Sequence, residues 1–165
     1  MRATLQPLRD EHQSLLTHVE DMRAMADVAE DIPAPMLRQG LEDACRFLRG
    51  QLIPHLRAEE RGLYPRVERL LNGRHATELM RMDHGLVLDL VSTLARLRDR
   101  IQQTTLTKEH LLTLRRVLYG LHTIVPLHFS KVDALIFSLL EPRLSPLEVL
   151  EMYREMDIST SNARD

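Results

Sequence analysis

The stretch Leu48-Arg49-Gly50-Gln51-Leu52-Ile53-Pro54-His55-Leu56-Arg57-Ala58-Glu59-Glu60 spaces its leucines four apart, then carries the same stripe on through a histidine and a carboxylate. Such spacing marks an amphipathic helix, because positions three and four apart share a face at 3.6 residues per turn. Leu37, Leu41 and Ala44 extend the stripe backward, and Pro65 interrupts it ahead. The spacing predicts a helix up to about Tyr64, with one or two further turns over 65–71.

Three similar segments surround it. Leu5, Leu8, Leu15, Val19, Met22 and Ala26 predict a helix over about 4–30, ended by Asp31-Ile32-Pro33-Ala34-Pro35, since proline lacks a donor and disfavours helix in the residue before it. The Asn72-Gly73 turn precedes a stretch over about 74–103 carrying Leu79, Leu86, Leu90, Leu94, Leu97 and Ile101. From Thr107, the residues Leu111, Leu114, Leu118, Leu121, Val125 and Leu135 predict a fourth helix to about Leu140, stopped by Glu141-Pro142. Ser145-Pro146-Leu147-Glu148 joins an N-cap, a first-turn proline and a capping-box Glu, which predicts a short fifth helix over about 145–156. Long helices with short connections pack most simply as an all-α, antiparallel up-down-up-down four-helix bundle. The expected organisation is a bundle over 1–143, the short helix packed on it over 144–156, and a flexible polar tail over 157–165.

Composition narrows the function. The chain has 165 residues, 44% hydrophobic and 28% charged, which suits one globular domain that needs no disulfides; its single cysteine, Cys45, reads as core filler. A net charge of −2 is too balanced for electrostatic wrapping of nucleic acid or anionic membrane, so neither is an expected partner. Met1–Pro7 has no apolar signal-peptide core, and no run approaches the roughly 18 uncharged residues of a spanning helix, so the expected location is the cytoplasm. Eight histidines in so short a chain are the unusual feature.

Four of them fall into a pattern. Asp10-Glu11-His12 resembles Met82-Asp83-His84, and Pro54-His55 followed by Glu59 resembles Leu127-His128 followed by Asp133, so two helical hairpins share one plan. Counting from the loops at 1.5 Å per residue puts all four histidines in one layer of the bundle. His12 shares the stripe of Leu8 and Leu15, and His55 that of Leu48 and Leu52, so these two point inward. A layer of inward imidazoles is costly unless something satisfies it, at roughly 1–3 kcal/mol for each unpaired polar group. A metal does so. Glu59, one turn after His55, lets a single helix supply nitrogen and oxygen to adjacent ions. Asp133 is five residues after His128, about 140° away in an ideal helix, so its convergence requires a local distortion such as Pro126 or Pro54 could cause. Mixed imidazole and carboxylate donors favour iron, manganese or zinc, and bridging carboxylates suggest two ions. Glu60 and His122 are further candidates, although His122 stands about 9 Å along the axis from His128. Tyr64 is a candidate hydrogen-bond donor beside the site. His18, His75 and His110 read as surface residues.

On Glu11-His12, His55-x3-Glu59-Glu60-x3-Tyr64-Pro65, Asp83-His84 and His128-x4-Asp133, the chain resembles a hemerythrin-like, HHE cation-binding domain over about residues 5–140. The resemblance implies a non-haem centre of two iron ions, oxo- or hydroxo-bridged, with His12, His55, His84 and His128 as terminal ligands and Glu59 and Asp133 as bridges. It implies a diatomic or peroxide ligand (oxygen, peroxide or nitric oxide) and a role in sensing, detoxification or iron handling. The alternatives are a peroxide-decomposing enzyme and a bundle that has lost its metal. The chain departs from the family pattern at Leu88, where a second third-helix histidine is usual; Glu60 is the candidate substitute ligand.

Overall fold

The computed structural model describes residues 4–157, and every regular element among them is helical. α1 spans Gln6–Val28. α2 is one long rod made of Ala34–Phe47, Leu48–Leu52, Ile53–Ala58, Glu59–Leu63 and Tyr64–Leu70. α3 opens with a 3-10 turn, Arg74–Thr77, and runs through Glu78–Gln103. α4 comprises Lys108–Lys131, Val132–Phe137 and Ser138–Leu140, and α5 is Pro146–Glu155. The four expected long segments and the short fifth are all present, and α2 continues through Pro65 as far as Leu70. The expected tail lies, from residue 158 on, outside the described residues.

Each long helix packs on two others: α1 on α2 and α4, α3 on α2 and α4. Side-chain pairs fix the registers. Between α1 and α4, Glu30 meets Arg115, Asp27 meets Tyr119, Glu20 meets His122 and Asp133 meets His12, so rising numbers on one helix face falling numbers on the other. Between α2 and α3, Glu42 meets Arg98 and Glu60 meets Arg81. α4 has the length and hydropathy a membrane crossing requires, but its apolar residues Leu114, Leu118, Leu121 and Val125 are core residues here. Two apolar clusters fill the interior. One holds Leu15, Leu41, Leu94 and Leu118 among others, and the second holds Leu5, Leu8, Leu63, Ile136, Phe137 and Met152. The histidine layer separates them.

Three wide, π-type turns shape the rods: Leu48–Leu52, Glu59–Leu63 and Val132–Phe137. A π-turn bonds residue i to i+5 and so brings positions five apart onto one face. Two of the turns end two residues before a proline, Pro54 and Pro65. Each relieves the clash between the proline ring and the carbonyl four residues back, and each absorbs the missing donor without breaking the rod. Pro126 behaves differently: it sits within regular helix, and the distortion in α4 lies six residues further on, around Asp133.

α5 begins with the expected capping box, in which Ser145 Oγ accepts from Glu148 N while the Glu148 carboxylate accepts from Ser145 N. It lays Val149, Met152 and Tyr153, with Met156 just beyond its end, over the second cluster. Arg66 pairs with Glu155 at 2.7 Å, Tyr153 Oη donates to Thr4 O, and Arg9 grips Glu141 through two guanidinium nitrogens. Gly62, buried inside the second wide turn, permits this close approach. A Cβ there would stand 2.3 Å from Met156 Cγ and 3.1 Å from the backbone oxygen of Met152. Gly62→Ala is therefore expected to lift α5 and lower stability by about 1–3 kcal/mol. Urea unfolding measures this, and an unchanged midpoint would show that α5 docks without needing the gap.

Candidate metal centre

Glu59 sits at the middle of the layer, fully buried, with an imidazole Nε2 from each long helix turned toward it. Its Oε1 lies 3.4 Å from His12 Nε2 and 3.4 Å from His55 Nε2. Its Oε2 lies 3.1 Å from His84 Nε2 and 3.0 Å from His128 Nε2. The imidazoles form two pairs, His12 with His55 and His84 with His128, each with 3.1 Å between its Nε2 atoms. Two buried donor groups result: His12, His55 and Glu59, then Glu59, His84 and His128, with one carboxylate common to both. His12 stacks on Phe129 at 4.1 Å between centroids, which holds its ring flat against the apolar core.

The outer nitrogens explain why the inner ones point inward. Asp133 Oδ1 lies 2.9 Å from His12 Nδ1, Glu60 Oε1 2.7 Å from His84 Nδ1, and Asp83 Oδ2 3.1 Å from His128 Nδ1. Glu11 Oε1 lies 3.1 Å from His55 Nδ1, close but off the direction that ring N–H would take. A carboxylate on Nδ1 keeps the proton there, which leaves Nε2 as a lone pair. Facing lone pairs 3.1 Å apart cannot bond each other; they require a proton or a cation between them. Glu59 Oε1 makes the same point, since it is buried and accepts no aligned hydrogen bond. The donor set therefore fits a pair of borderline metal ions sharing one carboxylate.

Protonation reports the same field. Burial opposes charge on His55, yet Glu11 and Glu59 outweigh it and raise its pKa to about 9. Burial likewise works to raise the pKa of Glu59, but the four imidazoles hold it well below the usual carboxylate range. Tyr64, five residues after Glu59 and brought over the same face by the wide turn between them, donates to Glu59 Oε2 at 3.3 Å. Its oxygen also lies 2.9 Å from His84 Nε2. Burial first, and then the Glu59 charge, push the phenol pKa far up, so Tyr64 keeps its proton.

The layer gathers five of the expected ligands, His12, His55, Glu59, His84 and His128. Asp133 is placed elsewhere: the wide turn carries it to the outer side of His12, with its side chain 40% exposed, rather than between the two groups. Glu60 likewise backs His84 from outside, and His122 pairs with Glu20 on the surface at 3.0 Å. Leu88 is 42% exposed and lines an open groove with Arg49, Ile53 and Val91, so the third helix offers the layer His84 alone. Sequence reasoning gave no role to Glu11 or Asp83. Their signal was the repeated acidic residue ahead of a histidine, and each serves a histidine on the neighbouring helix rather than the adjacent one. His18 and His75 are exposed, His110 caps α4, and Cys45 is buried in the core.

A family model described as Hemerythrin, Hemerythrin HHE cation binding domain, matches residues 4–140. No curated protein and no solved structure matches the chain. The raised pKa of His55 sets a pH dependence for the metal-free protein. A folded-state pKa near 9, above the ordinary 6.5, gives stabilisation that is complete below about pH 6.5 and is lost as pH rises through 9. The melting temperature of metal-free protein should therefore fall as pH is raised through that range, and less so in His55→Gln. Parallel profiles for the two proteins would overturn this.

Proposed function

The chain belongs to the hemerythrin family as an HHE cation-binding domain, and from that premise we propose that it holds two iron ions for contact with oxygen, peroxide or nitric oxide, in sensing, detoxification or iron handling. The observation that carries this reading is the shared Glu59 carboxylate between two imidazole pairs. His12 and His55 with Glu59 Oε1 would hold one ion, and His84 and His128 with Glu59 Oε2 the other. The falling register of the α1–α4 and α2–α3 pairs supports the up-down-up-down, antiparallel four-helix plan that such a centre requires.

Iron bound there would supply open coordination positions and one-electron exchange to a diatomic or peroxide ligand. The chain supplies the rest. Asp133, Glu60 and Asp83 fix the tautomer and tilt of the His12, His84 and His128 rings, and the Glu11 charge lies 3.1 Å from His55 Nδ1. Phe129 and Phe137 stack on His12 and exclude water from its face. Tyr64 holds Glu59 Oε2 in place through its hydroxyl.

A second reading, peroxide decomposition, is favoured by that same hydroxyl, because a phenol that keeps its proton beside the inner nitrogens could donate a hydrogen bond to a peroxide held there. Two peroxide molecules would yield two of water and one of oxygen. Oxygen evolution from added peroxide separates the readings, and under the enzymatic one loss of this hydrogen-bond donor in Tyr64→Phe should lower turnover roughly a hundredfold.

Purified protein is expected to carry about two iron ions per chain, and His55→Ala or His128→Ala should each lose at least one of them. Metal analysis with an optical spectrum measures this, and full iron in both variants would overturn the assignment.

A further inference from the structure

The inner donor atoms are arranged almost symmetrically about Glu59, but the groups behind them are not. On the His84–His128 side each outer carboxylate has a cation within 4.0 Å, Lys131 bonded to Asp83 and Arg81, held by Glu68 at 2.9 Å, reaching Glu60 at 3.4 Å. Asp83 Oδ2, the oxygen that faces His128 Nδ1, also accepts from Lys131 Nζ, so histidine and lysine compete for one atom. Glu60 faces His84 with Oε1 while Arg81 Nη1 lies 3.4 Å from its Oε2. On the His12–His55 side, among the described residues, no lysine or arginine nitrogen lies within 4.0 Å of Asp133 or Glu11. Arg9, the cation whose field reaches Asp133, is committed to Glu141 through two contacts.

A carboxylate accepting from Nδ1–H pushes electron density toward Nε2 and strengthens it as a donor, and a cation on that carboxylate draws the density back. The two positions therefore see different charge: behind one, two carboxylates with no cation within 4.0 Å among the described residues; behind the other, the Asp83–Lys131 ion pair and the longer contact of Arg81 with Glu60. Asp83 is also the better shielded of the outer acids, its side chain 11% exposed against 40% for Asp133, so less water intervenes to blunt the effect of Lys131.

We infer that the two ion positions are unequal: the His12–His55 position fills first, and the His84–His128 position, backed by Lys131 and Arg81, is the weaker and exchangeable one. The inference rests on the two-ion reading above and deepens it. One ion is resident, and occupancy of the other follows iron supply.

The test is an anaerobic titration of the metal-free full-length chain with ferrous iron against a chromogenic chelator. Wild type should take up two ions in steps at least roughly tenfold apart. Lys131→Met should strengthen the weaker step by roughly tenfold and leave the tighter one in place, while Lys131→Arg, which keeps the charge, should behave as wild type. Asp133→Asn should weaken the tighter step alone. Lys131 and Asp133 are both partly exposed, so these substitutions spare the core. Two ions taken up in one indistinguishable step would overturn the inference and leave the two-ion reading standing. An unchanged weaker step in Lys131→Met, or a loss of the weaker step in Asp133→Asn, would overturn it too. A chain that takes up no ferrous iron would overturn the reading and the inference together.

Discussion

The burial of the Glu59 carboxylate constrains everything around it. An isolated charge cannot be placed at the centre of a helical bundle without compensation, because the loss of hydration costs many kcal/mol unless opposite charge or strong donors replace the water. Here each long helix contributes one imidazole to that task, and each imidazole has a carboxylate of another helix within 3.1 Å of its outer nitrogen. The layer thus links all four helices through polar contacts, while the apolar clusters above and below supply the bulk of the burial. Without its cations the layer is an assembly of lone pairs and one proton-hungry histidine. This is why metal and fold are coupled in such a site.

The helices were legible in the sequence because their cause is local. The three-four spacing of leucines, the prolines at 33 and 35 and the capping box at Ser145 each act within a few residues. The inward histidines were legible for the same reason, since each continues an apolar stripe. The partners of their outer nitrogens were not. Which carboxylate reaches which ring depends on the rotation of two helices about their axes, and a one-residue change in register exchanges an outer position for an inner one. Asp133 shows the limit. Its five-residue offset from His128 made convergence depend on a distortion; α4 has one, over Val132–Phe137, but it turns Asp133 toward His12 Nδ1 on α1 rather than into the layer beside His128.

Leu88 carries a related lesson. The family pattern expects an imidazole there, yet the residue lies on the groove between α2 and α3, and the space beside His84 is taken by the Tyr64 hydroxyl from α2. Leu88 and Tyr64 lie on opposite sides of His84 along the bundle, Leu88 beside Ile53 and Tyr64 a turn beyond Glu60, so the hydroxyl adds to the layer and does not replace the imidazole. The sequence carries its placement only as Tyr64-Pro65, two residues whose joint effect on helix geometry is invisible to a regular 3.6-residue count.

The wide turn over Glu59–Leu63 gives the centre an unusual dependence on chain length. The turn holds one residue more than a regular helix would, so Tyr64, five residues after Glu59, lies where a residue four on lies in regular winding. Removing Arg61 would let the rod revert to regular winding with Tyr64 still over Glu59 and Arg66 still toward Glu155. Adding a residue has the opposite effect: the turn has already absorbed one, and a second would rotate everything beyond it by about 100°. Such an insertion would part the metal layer from the C-terminal helix in one step, so the site tolerates a shorter connection between Glu59 and Tyr64 better than a longer one.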